Sequence, residues 1–376
     1  MKFHIQRQRL NQALQDVYRA VSSRTPIPIL SGIKLQLEES GLRLTGSDSD
    51  MTIETFLPVV EGEQSMIRME QTGSVVLPSK YLGEVIRKLP NEEVTIEVNQ
   101  HFGAKITSGT AQFTLNGLDP AEYPKLPSVA EEHSFKLPTD VLRKMILQTA
   151  FAASSSESRP ILTGVAVQIE QEKIRFLATD SHRFAQSEAV LEQVGMNGVR
   201  QAVVPAKSLE ELTKVFDDSE GIELTWSKSH VMVRNQNILF LSRLLDGSYP
   251  DTSRIVPTQT LTDLVADNRS LTSAVERASL LAREGKNNIV RLHADSTQLE
   301  IECQVPEVGE VREVIPVEML KGDAYHIAIN AKYLLDALHA LQGDDVQLSY
   351  TGAMSPFLLR KSHSHESLQL VLPVRI

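Results

Sequence analysis

An internal repeat is the strongest constraint that this sequence places on its fold. The segment from Pro28 to Met51 aligns with the segment from Pro160 to Arg183 at a constant offset of 132, and nine of the 24 positions are identical. A repeat of this length means that one folding unit is used more than once. Because each copy is long enough to be a full domain, the repeat predicts a ring or a rod of domains rather than a solenoid.

Two sets of amphipathic helices extend the repeat over the whole chain. The first set is predicted over 8–20, 139–153 and 269–284, each after a short alternating strand. Apolar side chains recur on one face of these helices: Leu10, Ala13, Leu14, Val17, Tyr18 and Val21, then Leu142, Met145, Ile146 and Thr149, then Leu271, Ala274, Val275, Ala278 and Leu281. The second set is predicted over 79–89, 206–216 and 331–341, each after Pro or Asn.

The segments between the helices read as antiparallel meanders with polar turns. Together these elements predict an α+β fold of three tandem domains, over 1–128, 129–256 and 257–376. Each domain contains two units of strand, helix and then about three strands. Tyr123 and Tyr249 precede Pro in a repeated turn. They are predicted to anchor these turns rather than to stack on bases, because few aromatic residues lie among the basic helix residues.

Charge is distributed unevenly between the predicted helices and the rest of the chain. The net charge is −10, but the six predicted helices sum to +5 and everything else to −15. Lys and Arg are good helix formers, which is one explanation. The other is an electropositive surface, built from the helices, that faces a polyanion. The acidic total argues against a protein that coats nucleic acid with its whole surface.

Residue patterns for catalysis or metal binding are weak. Asp180, Ser181 and His182 are adjacent, but neighbours on a strand point to opposite faces and a hydrolase needs them to converge. The sequence has no glycine-rich phosphate loop. His363 and His365 lack further ligands at metal-binding spacing and are predicted to lie in a solvated turn. The sequence therefore predicts no catalytic site, no metal and no cofactor.

The single cysteine, Cys303, excludes an internal disulfide and suits a reducing cytoplasm, where a small core position is its expected place. No apolar run approaches the length of a membrane span, and the N-terminal residues lack the apolar region of a signal peptide. These features predict a cytoplasmic protein without a membrane partner.

Several segments resemble the bacterial DNA polymerase III β subunit, the sliding clamp family. They are "SRTPIPILSGI" with "LTGSDSDMTIE", "ESRPILTGV" with "LATDSHR", and the terminal "LVLPVRI". The resemblance covers the whole chain. It implies a head-to-tail homodimer that closes into a ring around duplex DNA, with the helices lining the hole and the antiparallel sheets outside. It also implies a non-catalytic processivity factor. The alternative is a DNA-processing enzyme with duplicated domains, such as a nuclease.

The resemblance implies duplex DNA as a partner, bound topologically and without sequence preference. It also implies the catalytic subunit of the replicative polymerase, the clamp loader and other proteins that carry a clamp-binding motif. The expected DNA contacts are Arg24, Lys80, Arg87, Arg143, Lys144, Arg159, Lys207 and Lys332. For Arg24 and Arg159 a solvated loop arginine is the alternative. The family's second loop position falls on Ser156.

The family also places a partner-peptide pocket between the second and third domains. The matching positions are Leu162, Thr179, His182, Arg183, Pro250, Arg254, Ile255, Met354, Pro356, Leu370, Leu372, Pro373, Val374 and Arg375. Arg183, Arg254 and Arg375 are expected at its rim. Phe184 and Val374 depart from common family patterns. At the dimer interface, Phe113 and Leu115 are expected to meet Leu280 and Leu281.

Overall fold

The computed structural model describes residues 1–22, 25–62, 64–127, 134–191, 199–216, 221–343 and 345–375. Within these residues the predicted helices form, in the predicted order. They are α1 (Arg7–Tyr18), α2 (Ser79–Lys88), α3 (Thr139–Leu147), α4 (Ala206–Leu212), α5 (Asn268–Ala282) and α6 (Ala331–Leu341).

Strands surround each helix in the same order in all three repeats. The first repeat contains β1 (Lys2–Gln6), β2 (Gly32–Glu38), β3 (Gly41–Ser47), β4 (Met51–Pro58), β5 (Val60–Glu61), β6 (Gln64–Ser65), β7 (Ile67–Gln71), β8 (Gly73–Pro78), β9 (Glu93–Val98), β10 (Gly103–Ser108) and β11 (Ala111–Asn116). The second contains β12 (Ser134–Pro138), β13 (Gly164–Glu170), β14 (Lys173–Thr179), β15 (Arg183–Val190), β16 (Val199–Pro205), β17 (Gly221–Trp226), β18 (His230–Arg234) and β19 (Ile238–Arg243). The third contains β20 (Thr262–Asp267), β21 (Ile289–Ala294), β22 (Gln298–Val305), β23 (Gly309–Pro316), β24 (Glu318–Lys321), β25 (Tyr325–Asn330), β26 (Asp345–Tyr350), β27 (Phe357–Lys361) and β28 (Ser367–Val371).

Helix α3 is shorter than predicted. It ends at Leu147, and Thr149 has a non-helical backbone with φ −133°. The Thr149 hydroxyl donates a hydrogen bond to the carbonyl of Met145 over 2.7 Å. Such back-bonding by a β-branched residue competes with continuation of a helix. The three residues that follow, Ala150–Ala152, form a 3₁₀ turn.

The chain divides into two compact units that do not follow the repeat boundaries. Unit 1 is Met1–Thr139 with Glu211–Leu244, and unit 2 is Asp140–Glu210 with Leu245–Ile376. Unit 1 contains a five-stranded sheet (β11-β10-β9-β1-β7) and an eight-stranded sheet (β12-β17-β18-β19-β4-β3-β2-β8). Unit 2 contains a nine-stranded sheet (β16-β13-β14-β15-β28-β27-β26-β20-β24) and a four-stranded sheet (β23-β22-β21-β25).

Two antiparallel strand pairs carry the sheets from one repeat into the next. In unit 1, β4 of the first repeat pairs with β19 of the second, with Thr55 opposite Ile238. In unit 2, β15 of the second repeat pairs with β28 of the third, with Arg183 opposite Val371. At both junctions, the third strand after the first helix of one repeat meets the third strand after the second helix of the next.

The apolar helix faces pack on the sheets, as their periodicity predicts. In α1, Leu10, Leu14 and Val17 are buried. Tyr18 is an exception, because it is 52% exposed although it was predicted on the buried face. A helix turns by about 100° per residue, so a side chain directly after the buried Val17 lies at the edge of the stripe. Cys303 is buried in the core of the third repeat, and burial raises the pKa of its thiol.

The repeated tyrosines are turn anchors, as predicted. Tyr123 is buried and its hydroxyl donates to the carbonyl of Thr45 over 3.4 Å. Tyr249 is buried and its hydroxyl accepts a hydrogen bond from the backbone N–H of Thr179 over 3.0 Å. Each tyrosine therefore ties the end of its repeat to the second strand after the repeated Pro-Ile-Leu segment, β3 or β14. Across the described residues, no helix is long and apolar enough to cross a membrane.

Candidate nucleic-acid and partner-protein sites

Three lysines hold the same position in three helices. Lys80, Lys207 and Lys332 are the second residues of α2, α4 and α6, and all three are exposed. A helix N-terminus carries partial positive charge, so a lysine there adds to a field that favours phosphate. The repeated sequence thus places three exposed cations at the same helix position, and contacts from such cations to phosphate carry no base-sequence information.

The three lysines differ in their partners. The Lys332 ammonium lies 3.1 Å from a carboxylate oxygen of Asp336, one turn further along α6. The Lys80 ammonium lies over the ring of Tyr81, 5.5 Å from its centroid. Among the described residues, no carboxylate lies within ion-pair distance of Lys80. Lys80 is therefore a cation whose charge is not locally neutralised.

Most other predicted DNA contacts are already in ion pairs or hydrogen bonds. Arg87 donates to Glu84 over 2.6 Å, and Lys144 donates to Glu366 over 2.7 Å. Arg143 on α3 is half-buried. The exposed loop residue Arg159 donates to the hydroxyl of Ser181 over 3.3 Å, whereas Arg24 lies outside the described residues. Near Arg159, the hydroxyl of Ser156 lies 2.9 Å from that of Ser158.

The Asp-Ser-His segment forms a turn rather than part of a strand, which corrects the sequence interpretation. β14 ends at Thr179 and β15 begins at Arg183. One carboxylate oxygen of Asp180 accepts the backbone N–H groups of His182 and Arg183 over 2.9 and 3.0 Å. Ser181 has φ +76° and hydrogen-bonds Thr179 and Arg159. Asp180 therefore caps a turn, and the described hydrogen bonds include none between Ser181 and His182 that a hydrolase would need.

Arg183 lies in the interior, so its predicted position at the rim of a pocket is wrong. Its side chain is 9% exposed. The guanidinium donates to Asp180 over 3.0 Å, to Asp336 over 2.5 Å and to the carbonyl of Phe151 over 2.5 Å. It also lies over the ring of Tyr333, 4.6 Å from the centroid. A guanidinium is tolerated in the interior only when its donors are paired. The three acceptors around Arg183 meet this requirement.

Several predicted pocket residues meet in one apolar cluster of unit 2. The cluster, called here the pocket floor, consists of Leu162, Ala166, Leu177, Phe184, Val203, Tyr249, Leu358, Leu368 and Leu370. Ile255 packs against it and is half-buried. Thr179 is buried beside it and donates its hydroxyl to the Arg183 carbonyl over 2.6 Å. The unusual Phe184 is part of this floor, where its large ring fills space.

The C-terminal segment leaves the sheet and runs beside the Asp-Ser-His turn. β28 ends at Val371, two residues before Pro373, which cannot donate to a strand ladder. The N–H of Leu372 donates to the carbonyl of His182 over 2.9 Å, and that of Val374 to the carbonyl of Ala328 over 2.8 Å. Leu372 is 37% exposed, and Pro373 is half-buried. The predicted neighbourhood of His182 and the chain end is thus formed.

The remaining predicted pocket residues are on the surface. Pro250, Arg254 and Arg375 are exposed. Met354 is 58% exposed, and the carbonyl of Pro356 accepts the Thr351 hydroxyl over 2.5 Å. The described contacts do not join Met354 or Pro356 to the pocket floor. Within the described residues no cluster of three His, Cys, Asp or Glu could hold a metal ion, and His363 and His365 lie in an exposed turn.

The predicted interface residues lie on one edge strand and on one helix that packs against another edge strand. Phe113 is 41% exposed and Leu115 half-buried on β11, the edge of the five-stranded sheet. Leu280, at 65% exposed, and the half-buried Leu281 are near the end of α5, which packs on β22 and β23. The edge strand β23 was missed, because the third copy of the repeat is faint. Its signal was Val314, which is 49% exposed on the strand.

Comparison with known proteins accounts for all three repeats. Profiles of the DNA polymerase III beta subunit match consecutive parts of the chain: the N-terminal domain over residues 1–127, the central domain over 136–251 and the C-terminal domain over 253–375. The curated "Beta sliding clamp" of Bacillus subtilis is 46% identical over 377 residues, covering 100% of both chains. That of Staphylococcus aureus is 40% identical over 376 residues, covering 100% of this chain and 99% of its own.

Solved structures agree with the sequence comparison. The sliding clamp of Bacillus subtilis superimposes with a TM-score of 0.96 at 45% identity, over 100% of this chain and 99% of that one. The beta subunit from Streptococcus pyogenes gives 0.94 at 34% identity, over 100% of both chains. The resemblance seen in the sequence is confirmed, as is the fold of three tandem clamp domains. The chain belongs to the DNA polymerase III beta subunit family, the sliding clamps, which are processivity factors without a catalytic site of their own.

Proposed function

We propose that two copies of this chain close head to tail into a ring around duplex DNA and tether the replicative polymerase to its template. The observation that carries this proposal is the way the sheets continue from repeat to repeat. The first and second repeats join through β4 and β19, and the second and third through β15 and β28. The same rule leaves the outer edges of β23 in the third repeat and of β11 in the first unpaired among the described residues.

Pairing β23 of one copy with β11 of the other would repeat the existing junctions. A heterologous contact of this kind forms a closed ring when its rotation permits. It would also cover two edges that otherwise invite unwanted strand pairing. Phe113 on β11 and Leu280 on α5 are exposed apolar side chains beside these edges. The domain boundaries at 128 and 256 are part of this proposal, since each junction falls between two of the three domains.

Weak DNA contacts suit this arrangement. A protein that encircles its ligand is held by topology, whereas many strong phosphate contacts would make binding salt-dependent and hinder sliding. The exposed Lys80, Lys207 and Lys332 supply contacts of this weak kind. The excess of acidic charge elsewhere repels DNA from the remaining surface. Since its DNA would be the chromosome, we place the chain in the cytoplasm.

The experiment that tests the ring compares two forms of one plasmid. The chain is loaded by its clamp loader onto nicked circular DNA, and the complex is separated from free protein at rising salt. Retention on the circle should resist salt and should vanish when the plasmid is linearised. Equal, salt-sensitive binding to both forms would instead show an ordinary DNA-binding protein. Turnover of DNA or nucleotide by the pure chain, lost on mutation of Asp180 or His182, would favour the enzyme alternative.

The interface is tested by charge. Phe113→Asp with Leu280→Asp should give monomers by light scattering, because each buried apolar side chain contributes about 1.5–3 kcal/mol and a carboxylate cannot be buried there unpaired. Leu320→Asp is the control, since Leu320 is 52% exposed on β24 at another sheet edge. A dimer that survives the double change would place the interface elsewhere.

We also propose that the pocket floor and the C-terminal segment hold short peptides of polymerase, clamp loader and other partners. Two apolar anchors would contribute about 3–6 kcal/mol, and ordering an extended peptide offsets part of this. A single motif should therefore bind with a Kd of about 1 μM or weaker, and tethering on DNA adds avidity. Exposed Met354 could adapt to several ligands, as flexible methionines do.

Deleting residues 372–376 should abolish binding of a polymerase-derived peptide while the dimer and its DNA retention remain. Leu372→Asp is a milder variant that keeps the backbone hydrogen bond to His182. Both changes are measured by fluorescence anisotropy with a labelled peptide. If peptide affinity is unchanged in both, the docking site lies elsewhere on the chain.

A further inference from the structure

A groove lies between α1 and α2 in unit 1. It has a volume of about 690 Å³ and reaches down to the buried side chains of Leu14 and Ile33. Tyr18 from α1 and Tyr81 from α2 line it, and they are 52% and 54% exposed. Pockets of about 300–1,000 Å³ are the size that holds small ligands, so the groove can accept a group as large as a nucleobase. These residues define the tyrosine groove.

Cations line the groove together with the two rings. Lys80 and Arg87 line the same groove. The Lys80 ammonium lies 5.5 Å from the centroid of the Tyr81 ring and has no carboxylate partner among the described residues. Arg87 is paired with Glu84. Ser79, the first residue of α2, also lines the groove, so the positive end of that helix contributes to its field. The groove thus combines aromatic surface with a free positive charge.

The other two repeats lack this combination. At the position of Tyr18, the second repeat has buried Ala150 and the third has buried Ser279. At the position of Tyr81, the second repeat has buried Ser208. The third has Tyr333, whose ring is covered by the Arg183 guanidinium and stacks with the His182 ring. Two exposed tyrosines beside a cation are therefore specific to the first repeat, and their exposure is not a consequence of the shared fold.

We propose that the tyrosine groove binds an unpaired base of single-stranded DNA. Exposed aromatic rings next to cations are the chemistry with which proteins bind single strands: bases stack on the rings and phosphates approach the positive charges. In a duplex the faces of the bases are covered by their neighbours, so a duplex offers this groove phosphates and sugars only. The sequence has few aromatic residues among its basic helix residues, and Tyr18 and Tyr81 are two of those few.

This inference rests on the proposed function, because it is the ring around DNA that would bring a DNA strand to α1 and α2. A clamp that travels with a polymerase meets DNA that is partly unpaired. A stacking site in the first repeat alone would give each protomer a single point of contact with such a strand. Each contact is worth little by itself, so it would bias the position of the DNA without stopping sliding.

The test uses fluorescein-labelled dT12 and a 12-base-pair duplex at 50 mM salt, with anisotropy as the readout. The dimer should bind dT12, and Tyr81→Ala should lower the ratio of dT12 to duplex affinity about tenfold, within the range seen for removal of one stacking ring. Tyr18→Ala should lower the same ratio. Tyr81→Phe is the matched control, because it keeps the ring and should keep the ratio. Both tyrosines are exposed, so thermal melting should be unchanged in all three variants.

A second readout locates the strand. An oligothymidine that carries 5-iododeoxyuridine is cross-linked by light, and the modified peptide is found by mass spectrometry. The cross-link should fall on α1 or α2 peptides that contain Tyr18 or Tyr81. Three results would overturn the inference: no binding of dT12 by the unaltered dimer, an equal loss of dT12 and duplex binding in Tyr81→Ala, or cross-links confined to other segments. Retention of the unaltered chain on nicked circles is measured separately, so failure of the ring would be recognised as such.

Discussion

Lys80 in α2 and Lys332 in α6 occupy the same position in two repeats, yet they have different partners. Lys80 lies over an exposed tyrosine and no described carboxylate neutralises it. Lys332 pairs with Asp336, and the same carboxylate oxygen of Asp336 accepts a hydrogen bond from the buried Arg183. In the first repeat, the lysine at the start of α2 is therefore accessible to a ligand. In the third repeat, the lysine at the start of α6 pairs with Asp336, which also holds Arg183 at the end of the turn before β15.

The comparison separates the features that all three repeats share from the side-chain contacts that differ between them. Backbone geometry and the apolar helix face recur, because they are needed to fold any copy. The partners of the recurring side chains differ, because they come from elements that are far away in sequence. Asp336 is 153 residues from Arg183. The repeats of this chain thus share a fold and differ in the partners of a few matched side chains.

The largest expected effect tests the buried side of this comparison. Arg183→Ala should lower the free energy of unfolding of unit 2 by about 3–5 kcal/mol, because it leaves Asp180 and Asp336 without their buried partner. It should also weaken peptide binding, since the turn at His182 borders the C-terminal segment. Calorimetry gives the stability, and hydrogen exchange of the peptide that contains residues 180–190 locates the loss.

Lys332→Ala is the control for that change. It removes the exposed cation on the other side of Asp336, and exposed ion pairs contribute about 0–1 kcal/mol. If Lys332→Ala and Arg183→Ala were equally destabilising, the interior network around Arg183 would not be the feature that distinguishes the third repeat.

The repeated tyrosines give the second comparison. Tyr249→Phe should cost about 1–3 kcal/mol, because it leaves the buried N–H of Thr179 without an acceptor. Tyr123→Phe removes only a longer bond to the Thr45 carbonyl, which has other acceptor capacity, and should cost about 0.5–1 kcal/mol. Urea unfolding at pH 7 measures both. The absence of a loss in either variant would mean that the ring, and not the hydroxyl, anchors each turn.

The same tyrosines should make stability depend on alkaline pH. Burial raises the pKa of both phenols above the ordinary value of 10.0. The fold therefore favours the neutral phenol, and this contribution is complete below pH 10 and is lost as the pH rises through the folded pKa. The unaltered chain should lose stability above pH 10 faster than a variant with both Tyr→Phe changes.

Asp16 and Gln148 form a third pair at matched positions, and both are buried. Burial raises the pKa of Asp16 to about 6, whereas the amide of Gln148 cannot ionise. The protonated carboxyl stabilises the fold fully below pH 3.8, and this is lost as the pH rises towards 6. Asp16→Asn should therefore stabilise the chain by about 2–3 kcal/mol at pH 7 and by much less at pH 4. An equal gain at both pH values would contradict burial of the charge as the cause.

Much of the fold could be predicted because its signals are local. The buried stripe of Leu10, Leu14 and Val17 repeats at helical spacing, and the alternating strands follow at constant offsets. The helix ends were less predictable: α3 ends early because the Thr149 hydroxyl bonds the chain behind it. Tyr18 was wrongly predicted to lie on the buried face of α1, because a periodic pattern does not show where the apolar face of a helix ends.

The candidate site was predictable only where its residues adjoin a repeated motif. The turn at His182 and the apolar Leu162 and Leu370 follow such motifs, and the structure brings them together in unit 2. Arg183 was misplaced because its partner Asp336 is distant in sequence, and alternation alone does not say whether a charge faces inward. The exposure of Tyr81 beside Lys80 depends on packing between two helices, for which no sequence signal exists.

The smallest expected effect returns to the two lysines. Each phosphate contact adds about 0.9 to the slope of log affinity against log salt for duplex DNA. Lys80 has no carboxylate partner among the described residues, so Lys80→Ala should lower that slope by about 1 for a 20-base-pair linear duplex. Lys332 must first give up Asp336, so Lys332→Ala should change the slope by less. Lys321→Ala, a change of an exposed lysine on β24 that pairs with Asp263, is the control and should leave the slope unaltered. Anisotropy between 25 and 150 mM salt measures all three. Equal slopes for Lys80→Ala and Lys332→Ala would show that the ion pair with Asp336 does not decide which repeat contacts DNA.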